Sequence, residues 1–435
     1  MDPWAASKVP WLSPQAVTAA GWPAAREAAR LLAQLGWPTR ALDHDHPALS
    51  AGGVEVQAMP ASVADDWAAS GAMPLTGRAD GPPVHPAGRP ATVARGAALA
   101  YELISGVTID GPALLGERAA LMGLHRRGTV SAGEGTRLLP AADGWWALNL
   151  ARDADLVPAL TATPASDDPW REVAEWSHAL PVRAVIERCG LLGLPAGGLG
   201  ETPTPDAPWR IARRPATSPG RPRPRVVNLG ALWAGPLAGS LLRLAGAEVT
   251  HVEAIDRPDP VRHSAPEFHR LLHEGTAHRQ IDFTAPGELR ELVADADVVI
   301  EASRPRALRA AGADADTVLA DGRARTWLRI TGHRDPTRVA FGDDAAVAGG
   351  LVAWDGGRPV FAGDAIADPL TGLLGALAVL ATHSSEHSTV IDIALADAAA
   401  YCAAGSQSDE AAAVPATTPI APPRVSRRAA RPDAR

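Results

Sequence analysis

The sequence predicts an α/β protein, built on a doubly wound, mostly parallel sheet with a smaller α+β domain beside it. Three observations carry this. From Arg225 onward, short β-branched apolar runs alternate with helical periods, the order that makes strand–helix–strand units. Before Gly200 the chain shows mainly helical periods with some strand. Between them lies "TPTPDAPWRIARRPATSPGRPRPR", with seven prolines from Thr202 to Arg225, which reads as an extended linker.

The elements follow in order. "AAREAARLLAQLG" and "GERAALMGLHRRG" have helical spacing, and "GWWALNLA" (Gly144–Ala151) alternates as a strand. "PVRAVIERCGLLGLPAG" is a helix stopped at glycine. Beyond the linker, "RVVNL", "AEVTHVEA", "DVVIEAS" and "ARTWLRITG" are strands, "GPLAGSLLRLAG" and "GELRELVADA" are helices, and "STVIDIALAD" is strand then helix. The expected division is residues 1–200, a linker at 201–224, a sheet domain at 225–405, and a tail at 406–435 with little apolar periodicity. "SGAMPLTGRADGPPVHPAG" (Ser70–Gly88) faintly echoes "AGGLVAWDGGRPVFAG" (Ala348–Gly363).

Composition excludes several classes. The chain has 435 residues, too many for one small core. Its net charge of -8 argues against a general nucleic-acid binder. Lys8 is the only lysine, so Schiff-base chemistry is not expected. Cys189 and Cys402 are too few for a disulfide framework or a cysteine-rich zinc site. No signal peptide precedes the first polar segments, and no apolar run is long enough to span a membrane, so the expected setting is cytoplasmic and reducing.

Several stretches hold chemistry-bearing residues. In "DAIADPLTGLLGALAVLA" (Asp364–Ala381), Asp368 precedes Pro369 and leucines at helical spacing, so it reads first as a helix N-cap. In "AFGDDAAVAGG", Asp343 and Asp344 stand at a helix start, where one caps or where adjacent like charges raise one pKa for acid–base work. "LGALWAGPLAGSLLRLAGAEVTHVE" runs from strand through glycine loop and helix to Glu253. Gly230, Gly235 and Gly239 do not fit the spacing of a dinucleotide fingerprint, and tight helix–sheet packing is the plainer reading. In "SRPRALRAAG", Arg304, Arg306 and Arg309 follow a strand end, where guanidiniums hold phosphates or simply begin a solvated helix.

Three histidine groupings read weakly. "HSSEH" (His383–His387) fits a zinc peptidase signature but lies in a serine-rich turn. "EFHRLLHE" spaces His269 and His273 four apart on a helix, without a third ligand nearby in sequence, and reads as a surface helix. "LDHDHP" (Leu42–Pro47) is no stronger. No metal and no tightly bound cofactor are expected.

Taken in order, "RVVNLGALWAGPLAGSLLRLAGAEVTHVEA", "HRQIDF", "ADVVIEASRPRALRAAG", "WLRITG", "FGDDAAVAGGL", "FAGDAIADPLTGLLGALAVLA" and "VIDIALADA" resemble the class III CoA-transferases. That family includes carnitine-CoA transferase-like proteins, formyl-CoA transferases and 2-methylacyl-CoA racemases. The resemblance implies a Rossmann-like catalytic domain with Asp368 as nucleophile. It also implies that CoA lies along Leu232, Trp233, Ala234, Gly235 and Glu253, with Ala302, Ser303, Arg304 and Arg306 assisting. Acyl-CoA and a small carboxylic acid would be the substrates, and the family's usual state is a homodimer. "RLLPAADGWWALNLA" and "LPVRAVIERCGLLGLPAGGLGE" also resemble the family, but they precede the catalytic half instead of following it. Residues 1–200 are therefore expected either to supply the small domain in rearranged order or to be a degenerate fused copy.

The pattern is not followed everywhere. Ala254 stands where transferases often carry Arg or Pro, and Trp233 fills a position that is often smaller or polar. Racemases carry a histidine where this chain has Asp343. A racemase or isomerase, and a non-catalytic CoA-binding subunit, are the alternatives to a transferase.

Overall fold

The computed structural model describes residues 17–19, 22–41, 48–51, 53–216, 221, 223–302, 305–321, 325–383 and 387–405. The "LDHDHP" stretch and the tail at 406–435 lie outside the described residues, as do Ser384–Glu386 of "HSSEH". The expected tail is therefore not described.

A seven-stranded sheet organises the molecule, with neighbours in the order 277–281, 248–254, 225–228, 298–301, 326–331, 387–394 and 209–215. The first six run parallel and the last is antiparallel to its neighbour. Numbered by chain position from Arg225, the parallel strands have the order 3-2-1-4-5-6 of doubly wound folds. Strands Arg225–Asn228, Val298–Glu301 and Thr326–Thr331 bury nearly every side chain, as expected for parallel strands covered on both faces. The connection order reverses between Arg225–Asn228 and Val298–Glu301. Ligands of such sheets bind at the carboxyl ends of the strands flanking that reversal.

The antiparallel edge strand Trp209–Pro215 falls inside the stretch read as a linker. Its extended backbone pairs with His387–Ala394, and Trp209 is buried while the later residues are mostly exposed. Proline is tolerated at the end of an edge strand, so the proline count did not exclude pairing.

The preceding half packs onto this sheet rather than standing apart. Helix Pro90–Ser105 lies between helices Pro23–Gln34 and Ala367–Thr382 in one continuous core. Tyr101 donates its hydroxyl to the Leu241 carbonyl at 2.7 Å, and Trp37 Nε1 donates to the Ala381 carbonyl at 3.0 Å. A three-stranded antiparallel sheet, Thr136–Pro140, Trp145–Asn149 and Ala196–Gly198, leans on helix Gly342–Ala348. The two echoing stretches also touch. The Ala87 N–H donates to the Val352 carbonyl at 2.7 Å, so Pro86–Ala87 borders the hairpin Val352–Asp355/Arg358–Phe361.

Helix Ala367–Thr382 buries nearly its whole surface, and it presses against helix Ala234–Leu244 and against Pro90–Ser105. It is the central helix of the molecule, and it carries Asp368.

Candidate active site

Asp368 sits in the first turn of helix Ala367–Thr382, not at its cap. Ile366 holds the cap position, and Asp368 and Pro369 are the second and third helical residues. The helix therefore begins earlier than the proline suggested, a shift common at helix ends. The first turn still exposes the carboxylate to the positive end of the helix dipole.

The turn before it, Gly363–Ile366, is clamped from three directions. The Gly363 N–H donates to Thr76 Oγ1 at 2.8 Å. Arg118 grips Asp364 with two parallel bonds, Nε to Oδ2 at 2.8 Å and Nη2 to Oδ1 at 2.5 Å. The Ala365 N–H donates to Asp343 Oδ1 at 2.8 Å. Ala365 has a φ of 42°, a left-handed backbone that alanine rarely adopts and that the three clamps hold. Two of these clamps, Thr76 and Arg118, come from the first half of the chain.

Four carboxylates meet around this turn. Asp343, Asp344 and Asp364 are buried, while Asp368 keeps part of its surface open to solvent. The adjacent pair divides its work. Asp344 Oδ1 accepts the Phe341 N–H at 3.0 Å, so this residue caps its own helix as the plainer reading expected. Asp343 turns instead toward Ala365 and receives a longer contact from Thr136 Oγ1 at 3.5 Å.

Their acidities follow from burial and charge. Burial pushes Asp368 up to about 7; Arg118 and the Gly342 N–H oppose that, while Asp343 and Asp364 add to it. Asp343 is pushed up to about 6, chiefly by burial and then by Asp364. Burial also raises Asp344 well above the usual carboxylate range. Burial alone would lower the Arg118 pKa, but Asp364, Asp343 and Asp368 together hold it above its ordinary value, so it stays charged. One cation thus faces several acids, and Asp368 is the least buried residue among them.

Gly342 lies directly beneath Asp368. A Cβ there would come within 2.3 Å of Asp368 Oδ2 and 2.3 Å of the Ala365 carbonyl oxygen. Gly342→Ala is therefore expected to displace the carboxylate and the turn together. The expected result is a loss of at least ~100-fold in any activity that uses Asp368 and a melting temperature lower by several degrees, ~2 kcal/mol of destabilisation. Thermal melts and initial rates check both.

Of the residues expected to hold CoA, those of the Leu232 loop and Ala302 follow the two strands at the reversal point of the sheet. The Leu229 N–H bonds the Ile300 carbonyl at 2.9 Å, so the two strand ends adjoin. A Cβ at Gly230 would stand 3.0 Å from the Gly235 Cα and 3.3 Å from the Ala302 Cβ, so these glycines permit close backbone packing, as the plainer reading held. Leu232, with a φ of 68°, is half-buried, and Ala302 is exposed.

Four other expected positions are buried. Trp233, Ala234 and Gly235 are buried, and so shape the crevice from behind. Glu253 is also buried, with its oxygens taken by Arg262 at 3.1–3.2 Å and by the His251 ring at 3.2 Å. Packing at the strand end occupies the Glu253 side chain. Ser303 and Arg304 lie outside the described residues. Arg306 belongs to helix Pro305–Ala310, and its side chain is not described.

Sequence reasoning missed Arg118. It stands on the short helix Glu117–Met122, pairs with Asp364, and lies over the Trp233 ring with 5.1 Å to the centroid. Trp233 therefore connects the crevice loop to the carboxylate cluster. No local pattern marked this arginine, because its partner is 246 residues away. His383 and His387 fall on a helix end and a strand start, so "HSSEH" does not lie on one helical face.

Comparison with known families gives one match for part of the chain. Residues 223–427 match CoA-transferase family III. The family III segment contains Asp343, Asp344, Asp364 and Asp368, whereas Arg118 and Thr76 lie before it. No curated protein matches the chain. Among solved structures, a hypothetical protein from Mycobacterium tuberculosis is 26% identical, with 42% of this chain and 57% of that one covered at a TM-score of 0.37. A CAIB/BAIF family protein from Brucella suis is 26% identical, with 40% and 53% covered at a TM-score of 0.36. The chain spans little more than half the length of either structure. Among the described residues no helix is long and apolar enough to cross a membrane.

Proposed function

We propose that the protein is a CoA-transferase that moves CoA between an acyl-CoA thioester and a small carboxylic acid, with Asp368 as nucleophile. The observation that carries this reading is the position of Asp368. It is the least buried residue of a buried acid cluster, in the first turn of a helix and within the field of Arg118. The family III match supports the same class of chemistry.

The steps balance without ATP or metal. The Asp368 carboxylate attacks the thioester carbonyl, the C–S bond breaks, and CoA thiolate leaves a mixed anhydride. The thiolate then attacks the aspartyl carbonyl, expelling the acyl group as a free carboxylate and leaving an aspartyl-CoA thioester. The acceptor carboxylate attacks that thioester, forms a new anhydride and releases thiolate. Attack of the thiolate on the acceptor's acyl carbon yields the new acyl-CoA and restores Asp368.

Ionised Asp368 is required for the first step. With its pKa pushed up to about 7, the carboxylate fraction, and with it the rate, rises as pH increases through that value. Arg118 would hold the ionised form and face the oxyanions that develop. The loop Ser131–Thr136 is a fitting oxyanion loop. It contains Gly133 and Gly135, and a Cβ at Gly133 would stand 3.5 Å from Arg118 Nη2. CoA would enter along Leu232 and Ala302, with Ser303, Arg304 and Arg306 nearby in the chain.

The reading includes residues 1–200 as the small domain and closing elements in rearranged order, since they contribute Thr76 and Arg118 to the turn before Asp368. It also includes a homodimer in a cytoplasmic, reducing setting, in which Cys189 and Cys402 remain buried thiols.

A racemase needs a second base opposite Asp368. Asp343 is the candidate, but it is tied to the Ala365 N–H. Isotope exchange separates the readings. A transferase is expected to exchange labelled free CoA into acyl-CoA, without deuterium entering the α-carbon from heavy water. Deuterium uptake without CoA exchange would favour the racemase and sink the transferase reading.

A further inference from the structure

Away from the acid cluster, at the other side of the crevice loop, the fold gathers histidines that the sequence leaves scattered. Strand Glu248–Ala254 carries His251, and its cross-strand partner on Ala277–Ile281 is His278. Helix Pro266–His273 brings His269 and His273 against them. The ring centroids of His251 and His273 are 4.1 Å apart, and those of His269 and His273 are 4.4 Å apart. His278 completes the group at 5.1 Å from His273. This corrects the surface-helix expectation, since His269 and His273 both face inward and are buried.

We propose that His251, His273 and Asp259 form a binding site for a divalent transition-metal ion of the zinc type, with His269 or His278 available as a further ligand. The potential ligand atoms of His251, Asp259 and His273 all lie within 4.8 Å of one another. Two imidazoles and a carboxylate form a donor set that suits zinc and its neighbours, rather than magnesium or calcium.

A second observation points to a ligand. His273 is 6% exposed and His269 is 9% exposed, yet the Nε2 atoms of both are buried without a hydrogen-bond partner. Buried polar atoms are ordinarily satisfied, and a bound cation satisfies such lone pairs directly.

The surroundings are arranged in advance. Asp259 is held by the Leu232 N–H on Oδ2 and by the Val261 N–H on Oδ1, both at 2.9 Å, and a carboxylate retains lone pairs beyond these two. The His251 ring contacts Glu253 at 3.2 Å, the kind of outer carboxylate that orients a ligating imidazole. Arg262 is neutralised by Glu253, so Asp259 leaves the pocket with negative charge to offer. The exposed edge at His278 gives an ion a way in. Because Asp259 also holds Leu232, the metal would fix the crevice loop as well as the sheet edge.

Metal binding can be read without any assay of activity. The full chain, stripped with chelator, is titrated with Co²⁺ followed spectroscopically and then with Zn²⁺ in competition. One equivalent per chain is expected, with ligand-field bands of histidine coordination and a higher melting temperature with Zn²⁺. His273→Ala is expected to weaken binding at least 100-fold, while His383→Ala leaves it unchanged. Wild type that binds no stoichiometric metal overturns the proposal, whatever the variants do. So does binding that survives His273→Ala or is lost in His383→Ala.

Discussion

Replacing Arg118 with alanine is expected to destabilise the protein by about 3–5 kcal/mol, because it strands a buried carboxylate. Asp364 is fully buried, and the bidentate grip of Arg118 neutralises it. The loss reaches function through two routes. The turn Gly363–Ile366 loses one of its clamps, so Asp368 loses its fixed orientation. Asp368 also loses the principal group opposing the rise in its pKa, so its pH–rate profile moves to higher pH. Arg118→Lys keeps the charge but cannot make the forked contact, and an intermediate result is expected. Urea titration measures the stability, and rates across pH measure the shift. An alanine variant of unchanged stability and unshifted profile would reduce Arg118 to a surface ion pair.

Replacing Asp368 with asparagine is expected to separate stability from activity. CoA exchange should fall by at least ~10⁴-fold, as when a nucleophile is removed from its catalytic unit. Stability should move the other way at high pH. The folded-state pKa of Asp368 is raised to about 7, well above the ordinary carboxylate value, so the folded protein holds a proton that the unfolded chain releases. That contribution is fully present below the unfolded value and is lost as pH rises through about 7. Asparagine has no proton to lose. The variant should therefore gain relative to wild type as pH rises from 4 to 8, with little difference at pH 4. Melting temperatures across that range check the sign, and a variant losing ground as pH rises would contradict it.

These expectations rest on contacts of very different visibility in the sequence. Runs such as "RVVNL" and "DVVIEAS" announced buried parallel strands, because strands covered on both faces are apolar throughout. Asp368 was legible because an acid beside proline at a helix start is a local pattern, although the helix begins earlier than that pattern implied. Asp343 and Asp344 were legible as a pair, but their separate directions were not, since adjacent side chains on a helix diverge by about 100°. Arg118 left no trace, because charge pairing across the fold has no period. Residues His251 and Asp259 failed to suggest a cluster with His273 for the same reason: the sheet register and the helix returning over it bring them together. The strand Trp209–Pro215 was masked by proline, which excludes a central strand but not an edge.

The proposed role of Asp368 carries a stability–function conflict. A carboxylate held among Asp343, Asp344 and Asp364 costs folding free energy at neutral pH, and the fold tolerates it by supplying one arginine and a rigid turn.

The most direct test is intact-protein mass spectrometry after incubation with a panel of acyl-CoAs, with borohydride added to trap a thioester. Wild type is compared with Asp368→Ala. The expected result is a CoA adduct, or its reduced aspartyl product, in wild type alone and mapped by peptide digestion to Asp368. No adduct with any acyl-CoA, from protein that binds CoA measurably, would contradict the covalent route, and an adduct persisting in Asp368→Ala would contradict the choice of nucleophile.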